Sequence, residues 1–228
     1  MGYLYIETAC ENGRTVVKDS YFTAPFKITK PFVSHNVLEL MIMQASAGIL
    51  EGDSHELEFK IRTGSHVIIT GQSYTKLFRM EKGQARQKLK ITVEKDASLC
   101  YLPCPVIPFR DSDFTNTGEV RLEKGARVAM TDILACGRKG MGEVFEFRKY
   151  HSRTVVFEEE VPVFADNTRL VPKENEPGRI GFFEGNTHQG MAYIYGRTVD
   201  IPEERGSLTT AYSCAKRGTV VRVLGDSS

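Results

Sequence analysis

Apolar and polar residues alternate along much of this chain. Leu57, Phe59 and Ile61 alternate with Glu58, Lys60 and Arg62, and Leu89, Ile91 and Val93 alternate with Lys88, Lys90 and Thr92. A period of two marks strands with one buried and one wet face. The pattern also recurs in copies. Leu57-Glu-Phe-Lys-Ile61 runs through Thr63-Gly64-Ser65 into His66-Val-Ile-Ile-Thr70, and Leu89-Lys-Ile-Thr-Val93 runs through Lys95-Asp96-Ala97 into Ser98-Leu-Cys-Tyr-Leu102. Val120-Arg-Leu122 runs through Lys124-Gly125-Ala126 into Arg127-Val-Ala-Met130, so the turns fall about 30 residues apart. Such a period predicts stacked hairpin units, with unrelated hairpins of an ordinary β protein as the alternative. Residues 143–148, 153–157, 191–195 and 219–224 read as further strands, and 171–180 as a loop. No long stretch of helical period occurs. The expected fold is mostly β: a single layered β domain over residues 1–228, built of stacked hairpin or sheet units, with few short helices.

Pro103, Pro105 and Pro108 interrupt this regularity. Each lacks a ladder donor, so their segment must be a sheet edge or a rigid excursion. Its apolar side chains then serve either as a lid over the core or as a docking surface.

Composition narrows the function classes. A chain of 228 residues is expected to bury roughly 70–75% of its unfolded surface, enough to fold without disulfide or metal. Lys plus Arg number 30 against 29 Asp plus Glu, which gives no electrostatic reason to expect nucleic acid or an anionic membrane as partner. No apolar run is long enough to span a bilayer, and the first residues lack a basic, then apolar, signal pattern. The cysteines at 10, 100, 104, 136 and 214 form an odd set without a disulfide spacing, which suits a reducing cytoplasmic location.

Several carboxylates stand where the pattern asks for apolar residues. Asp132 shares strand parity with Val128, Met130 and Leu134, so it must be paired, protonated or bound to a cation. A salt bridge with Arg138 is the structural alternative. Glu143 shares parity with Phe145 and Phe147 after the glycine-rich Gly137-Arg-Lys-Gly-Met-Gly142, which has no phosphate-loop spacing. Asp53 follows two glycines in Gly48-Ile-Leu-Glu-Gly-Asp53, where capping a turn competes with binding a cation. Asp53 with His55 could supply mixed oxygen and nitrogen ligands. No closed zinc set, nucleophile elbow or Cys/His motif occurs, so no enzyme mechanism is indicated.

The same segments resemble the urease accessory protein family UreD, called UreH in some lineages. The matching pieces are Ala24-Pro-Phe-Lys-Ile28 with Lys30-Pro-Phe32, then Met41-Ile-Met-Gln-Ala-Ser-Ala-Gly-Ile-Leu-Glu-Gly-Asp53 and Ile69-Thr-Gly-Gln-Ser-Tyr-Thr-Lys-Leu-Phe-Arg79. Ala97-Ser-Leu-Cys-Tyr-Leu-Pro-Cys-Pro-Val-Ile-Pro-Phe109, Asp132-Ile-Leu-Ala-Cys-Gly-Arg138 and Gly142-Glu-Val-Phe145 complete the set. The order holds over residues 3–224. Many relatives carry Pro-Pro-Gly-Gly or Ser-Pro-Gly where this chain has Ala45-Ser-Ala-Gly48, and relatives continue into a C-terminal helical tail that this sequence is expected to lack.

The resemblance implies a nonenzymatic urease maturation chaperone in a hetero-oligomer. Its partners would be UreF, the GTPase UreG through UreF, and the urease apoprotein. Nickel would be in transit, with no tightly bound cofactor. The family's proposed metal path carries over to Asp53, Asp132, Glu143 and Asp166. Weak oxygen ligands suit a path, because the ion must leave again. The alternatives are a metal-dependent hydrolase on a β scaffold, using Asp53, His55 and another carboxylate, and a passive structural adaptor.

Overall fold

The structure is a computed structural model that describes residues 1–197, 199, 208–215 and 217–227. In chain order its strands are β1 (Gly2–Glu11), β2 (Arg14–Phe22), β3 (Phe26–Ile28), β4 (Phe32–Ser34), β5 (Val37–Gln44) and β6 (Ser54–Ile61). There follow β7 (His66–Gly71), β8 (Thr75–Leu77), β9 (Ala85–Val93), β10 (Ser98–Leu102), β11 (Val106–Pro108) and β12 (Asp113–Leu122). The chain continues with β13 (Arg127–Ala135), β14 (Lys149–Glu158), β15 (Val161–Leu170), β16 (His188–Tyr195), β17 (Thr209–Ala215) and β18 (Gly218–Gly225). Among the described residues the only helical pieces are a turn at Lys139–Met141 and one short helix, α1 (Pro172–Asn175). The mostly β architecture expected from the alternation is therefore present, as stacked sheets in a solenoid-like arrangement.

A seven-stranded sheet runs in the order β15-β14-β12-β9-β6-β1-β2, and faces a second sheet whose main path is β17-β18-β16-β13-β10-β7-β5-β3. The strands on either side of each repeated turn do not pair with each other. β6, β9, β12 and β14 pair in parallel in the first sheet, and β7, β10 and β13 in the second. Each turn thus carries the chain from one sheet across to the other, and each repeat hydrogen-bonds to the repeat before it. Alternation reports that a face is buried and not which strand lies alongside, so hairpin and cross-sheet arch look alike in sequence.

The turns stack as closely as the strands. Gly64, Asp96 and Gly125 all have positive φ, at 72°, 58° and 88°, at matching positions. Ser65, Ala97 and Ala126 each donate their N–H three residues back, at 3.0, 3.1 and 3.0 Å. Between coils, Glu94 accepts from the Thr63 N–H at 2.9 Å and Glu123 from the Lys95 N–H at 2.8 Å. A carboxylate of one coil therefore caps the turn of the coil before it.

In-register stacking sorts side chains into rows. Phe59, Ile91, Val120, Val156 and Phe164 form one inward row of the first sheet, and Leu40, Ile69, Tyr101, Met130, Tyr193 and Val220 face them from the second. Outward positions of the first sheet carry charge, including Lys90 against Glu56 at 3.5 Å and Arg121 against Glu119 at 2.7 Å. Such exposed pairs contribute little to stability.

Residues 143–148 do not form the expected strand. Gly137 and Gly142 lie at φ 135° and 76°, and Phe145 at 54°, so the backbone folds into a compact loop before β14 begins. The proline-rich segment forms the short β11, between β8 and β13, with Val106 opposite Leu134 as its only rung to β13.

Ile91 is 1% exposed in the middle of this core. Ile91→Ala is expected to cost about 2–5 kcal/mol. Lys90→Ala beside it, on the wet face, is expected to stay within about 0.5 kcal/mol, as read by chemical denaturation.

Candidate functional site

One inward row of the first sheet is polar where its neighbours are apolar. His55, Gln87, Asn116, Ser152 and Thr168 are direct ladder partners, one from each successive strand. The row lies between the main apolar cluster, which holds Leu57, Leu89 and Val156, and a smaller one that holds Ala85, Phe114, Tyr150 and Leu170. Within it Gln87 Nε2 donates to Asn116 Oδ1 at 3.4 Å, and Asn116 Nδ2 donates to Ser152 Oγ at 3.2 Å. Ser152 Oγ then donates across the core to Asp132 Oδ2 at 2.9 Å.

The second sheet opens at this level. Pro103 follows the last residue of β10, one rung short of Asp132, so nothing in the ladder joins Gly71 to Asp132. Cys104 packs into the gap, where a Cβ on Gly71 would lie 3.0 Å from its backbone nitrogen. A cavity of about 70 Å³ reaches from Gln44, Gln72 and Ser73 to Gln87 and Cys104. A neighbouring one of about 60 Å³ shares Gln87 and Cys104 and continues past Asn116 to Asp132 and Tyr150. A third, of about 10 Å³, shares Asp132 and Tyr150 and ends at Asp166, Thr168 and Arg222. The cavities abut along the polar row. Each is wide enough for water, the smallest for about one molecule. Pro103, Cys104 and Val106 form one wall, so this part of the proline-rich segment covers the interior.

The four sequence-derived carboxylates occupy different settings. Asp132, on β13, is enclosed by protein and meets solvent through the cavities it lines. It accepts from Ser152 and, at 3.4 Å, from the Tyr150 hydroxyl. Burial pushes its carboxyl above the usual range; the Ser152 bond pulls it back, and the charge of Asp166 pushes it up again. The expected salt bridge to Arg138 is absent, because Arg138 is committed elsewhere.

Asp166, on β15, is 6% exposed and pairs with Arg222 of β18 in the opposite sheet. Asp132 and Asp166 therefore face one cavity from opposite sheets, the only two of the four brought together. Asp53 accepts the Leu50 N–H at 2.8 Å, closing the turn before β6. It lies close enough to His55 for its charge to raise that ring's affinity for protons, although burial dominates and lowers it. His55 stacks edge-on against Phe26 at 5.0 Å, and its Nδ1 has no protein partner. Glu143 is held by Arg138, with Nε at 2.8 Å, and by the Arg110 N–H at 3.2 Å. The Arg138 pair holds its carboxyl below the usual range. Arg138 also lies over the Phe109 ring at 4.0 Å.

Among the described residues no three His, Cys, Asp or Glu side chains converge as a metal cage. What the seam offers is a line of hydroxyl, amide and carboxylate oxygens, which bind divalent ions weakly.

Comparison with known proteins places the chain. The profile of the UreD urease accessory proteins matches residues 1–228. The urease accessory protein UreD of Acetivibrio thermocellus is 40% identical, over 99% of this chain and 90% of the relative. UreH of Helicobacter hepaticus is 31% identical over 95% and 88%, and UreD of Flavobacterium johnsoniae 32% over 98% and 85%. All three relatives are named as urease accessory proteins. The chain belongs to the UreD urease accessory protein family.

Asp132 provides a test of the seam's electrostatics. Its acid is favoured in the folded state, so its contribution to stability is present below the ordinary aspartate range and fades as pH rises past it. Asp132→Asn, uncharged and still able to accept one of the two hydrogen bonds through its amide oxygen, should therefore gain on the wild type in melting temperature as pH is raised from about 4 to about 7.

Proposed function

We propose that this chain is a nonenzymatic scaffold of urease maturation that binds UreF, and through it UreG, together with the urease apoprotein. It would help pass nickel to the urease active site along the seam between its sheets. Family membership supports the maturation role, and the relatives' designation as accessory proteins is in keeping with a protein that catalyses nothing itself. The observation that carries the transit reading is the polar row with its abutting cavities, ending between Asp132 and Asp166.

In this reading Asp53 stands where the row begins, beside His55. Gln87, Asn116 and Ser152 offer amide and hydroxyl oxygens in succession, and Asp132 with Asp166 receives the ion at the far end. Glu143 joins the path only if Arg138 releases it. Successive weak oxygen ligands allow an ion to be handed on, whereas a closed thiolate or imidazole cage would keep it.

The test co-expresses variants with UreF, UreG and urease and measures both complex formation and the nickel content of purified urease. Asp132→Asn and Asp166→Asn should leave the complex intact while nickel falls severalfold, and Glu58→Gln on the outer face should change neither. Fully loaded urease from both aspartate variants would refute transit through the seam.

A further inference from the structure

Arg222 sits at the flank of the seam in a way that goes beyond a ligand set. It lies on the same rung as Met191 and Asp132, so all three point between the sheets from the second one. Its Nη2 donates to Asp166 Oδ1 on β15, the last strand of the first sheet. The ion pair thus spans the side of the molecule where the first sheet ends. It is lopsided: the Arg222 side chain is 44% exposed, the Asp166 side chain 6%. Among the described residues lining this cavity, Arg222 is the single cationic side chain, facing the two carboxylates Asp132 and Asp166.

We propose that Arg222 is a gate on the metal path, a tethered cation that occupies the Asp166 side of this cavity and is displaced when a divalent ion takes its place. The inference rests on the transit reading and adds its regulation. The space left beside the ion pair, about 10 Å³, holds about one water, so a divalent ion between the two carboxylates would stand against the Arg222 guanidinium with almost no water to screen two like charges, and the two cations compete for Asp166. Because Arg222 is already nearly half in water, rotating its head outward exposes little that was buried. Asp166 is far more enclosed, so once Arg222 leaves, its charge needs another cation beside it. An arriving divalent ion meets that need, and its departure lets the guanidinium return. Arg222 is in this sense a positioning residue: it keeps the carboxylate paired and aligned between passages and sets how tightly an ion is held.

The experiment uses tag-free protein, with its co-purifying partner where that is needed for solubility, in equilibrium dialysis against Ni(II), with Mg(II) as a second probe. Arg222→Met should bind one equivalent of Ni(II) at least about tenfold more tightly than the wild type, and Arg222→Lys, which keeps a tethered cation, should stay within about threefold of it. The gain should vanish in Arg222→Met with Asp166→Asn. A merely structural ion pair predicts lower melting temperatures but unchanged metal affinity. Arg222→Met with wild-type affinity, or a gain that survives Asp166→Asn, would overturn the gate. Should Arg222→Met fail to fold, Arg222→Gln, which can still donate to Asp166, is judged by the same tenfold mark. Failure here is separable from failure of transit. Aspartate variants that still load urease end the transit reading whatever Arg222 does, whereas unchanged affinity in a chain whose aspartates matter ends the gate alone.

Discussion

In-register parallel stacking of the coils is the constraint on which the rest of this structure depends. Once β6, β9, β12 and β14 align residue for residue, every inward position becomes a row, and one residue type repeated in a row becomes a layer through the protein. The turns lock that register, because Glu94 and Glu123 bond backbone groups of the preceding coil. A slip of one residue would turn Phe59, Ile91 and Val120 out to water and bring Lys60, Lys90 and Arg121 in, at a cost no turn could offset.

A polar layer in such a stack is expensive unless its groups find partners. Gln87, Asn116 and Ser152 meet that condition by bonding along the row, and Asp132 by accepting from Ser152 and Tyr150. His55 leaves one nitrogen unmatched at the row's beginning. The layer divides the apolar interior in two, and cavities collect beside it because β10 ends early at a proline. Stability alone would favour apolar residues at these positions, so packing does not account for the row, and the proposed passage of an ion would give it a use.

Much of this was legible in the chain before any coordinates. The alternation at 57–61 and 89–93 reported the strands, and Asp132 stood out because its neighbours of like parity are Val128, Met130 and Leu134. The pairing was not legible, since an arch and a hairpin share one pattern of buried faces. Glu143 misled because parity with Phe145 and Phe147 looks like a strand, while the positive φ of Phe145 is invisible in its identity. The polar row was missed although the repeats encode it: His55 and Gln87 each stand two residues before the leucine that opens their copy's apolar run, and Asn116 and Ser152 hold the same place by ladder register. Aligning the copies against one another, rather than reading each alone, exposes that column. Arg222 had no local signal, because its meaning depends on Asp166 in the other sheet.

The turn carboxylates have a consequence for how the protein is made. The coils that hold Glu94 and Glu123 each supply the group that caps the turn of the coil before, and the parallel rungs of β6 with β9 and of β9 with β12 join residues only about 30 positions apart. A nascent chain leaving the ribosome can therefore add one coil at a time onto a finished predecessor, in the order of synthesis. The growing end is always an unpaired strand edge, the surface most prone to join the wrong neighbour. Vectorial synthesis covers each such edge with the next coil of the same chain as soon as that coil emerges.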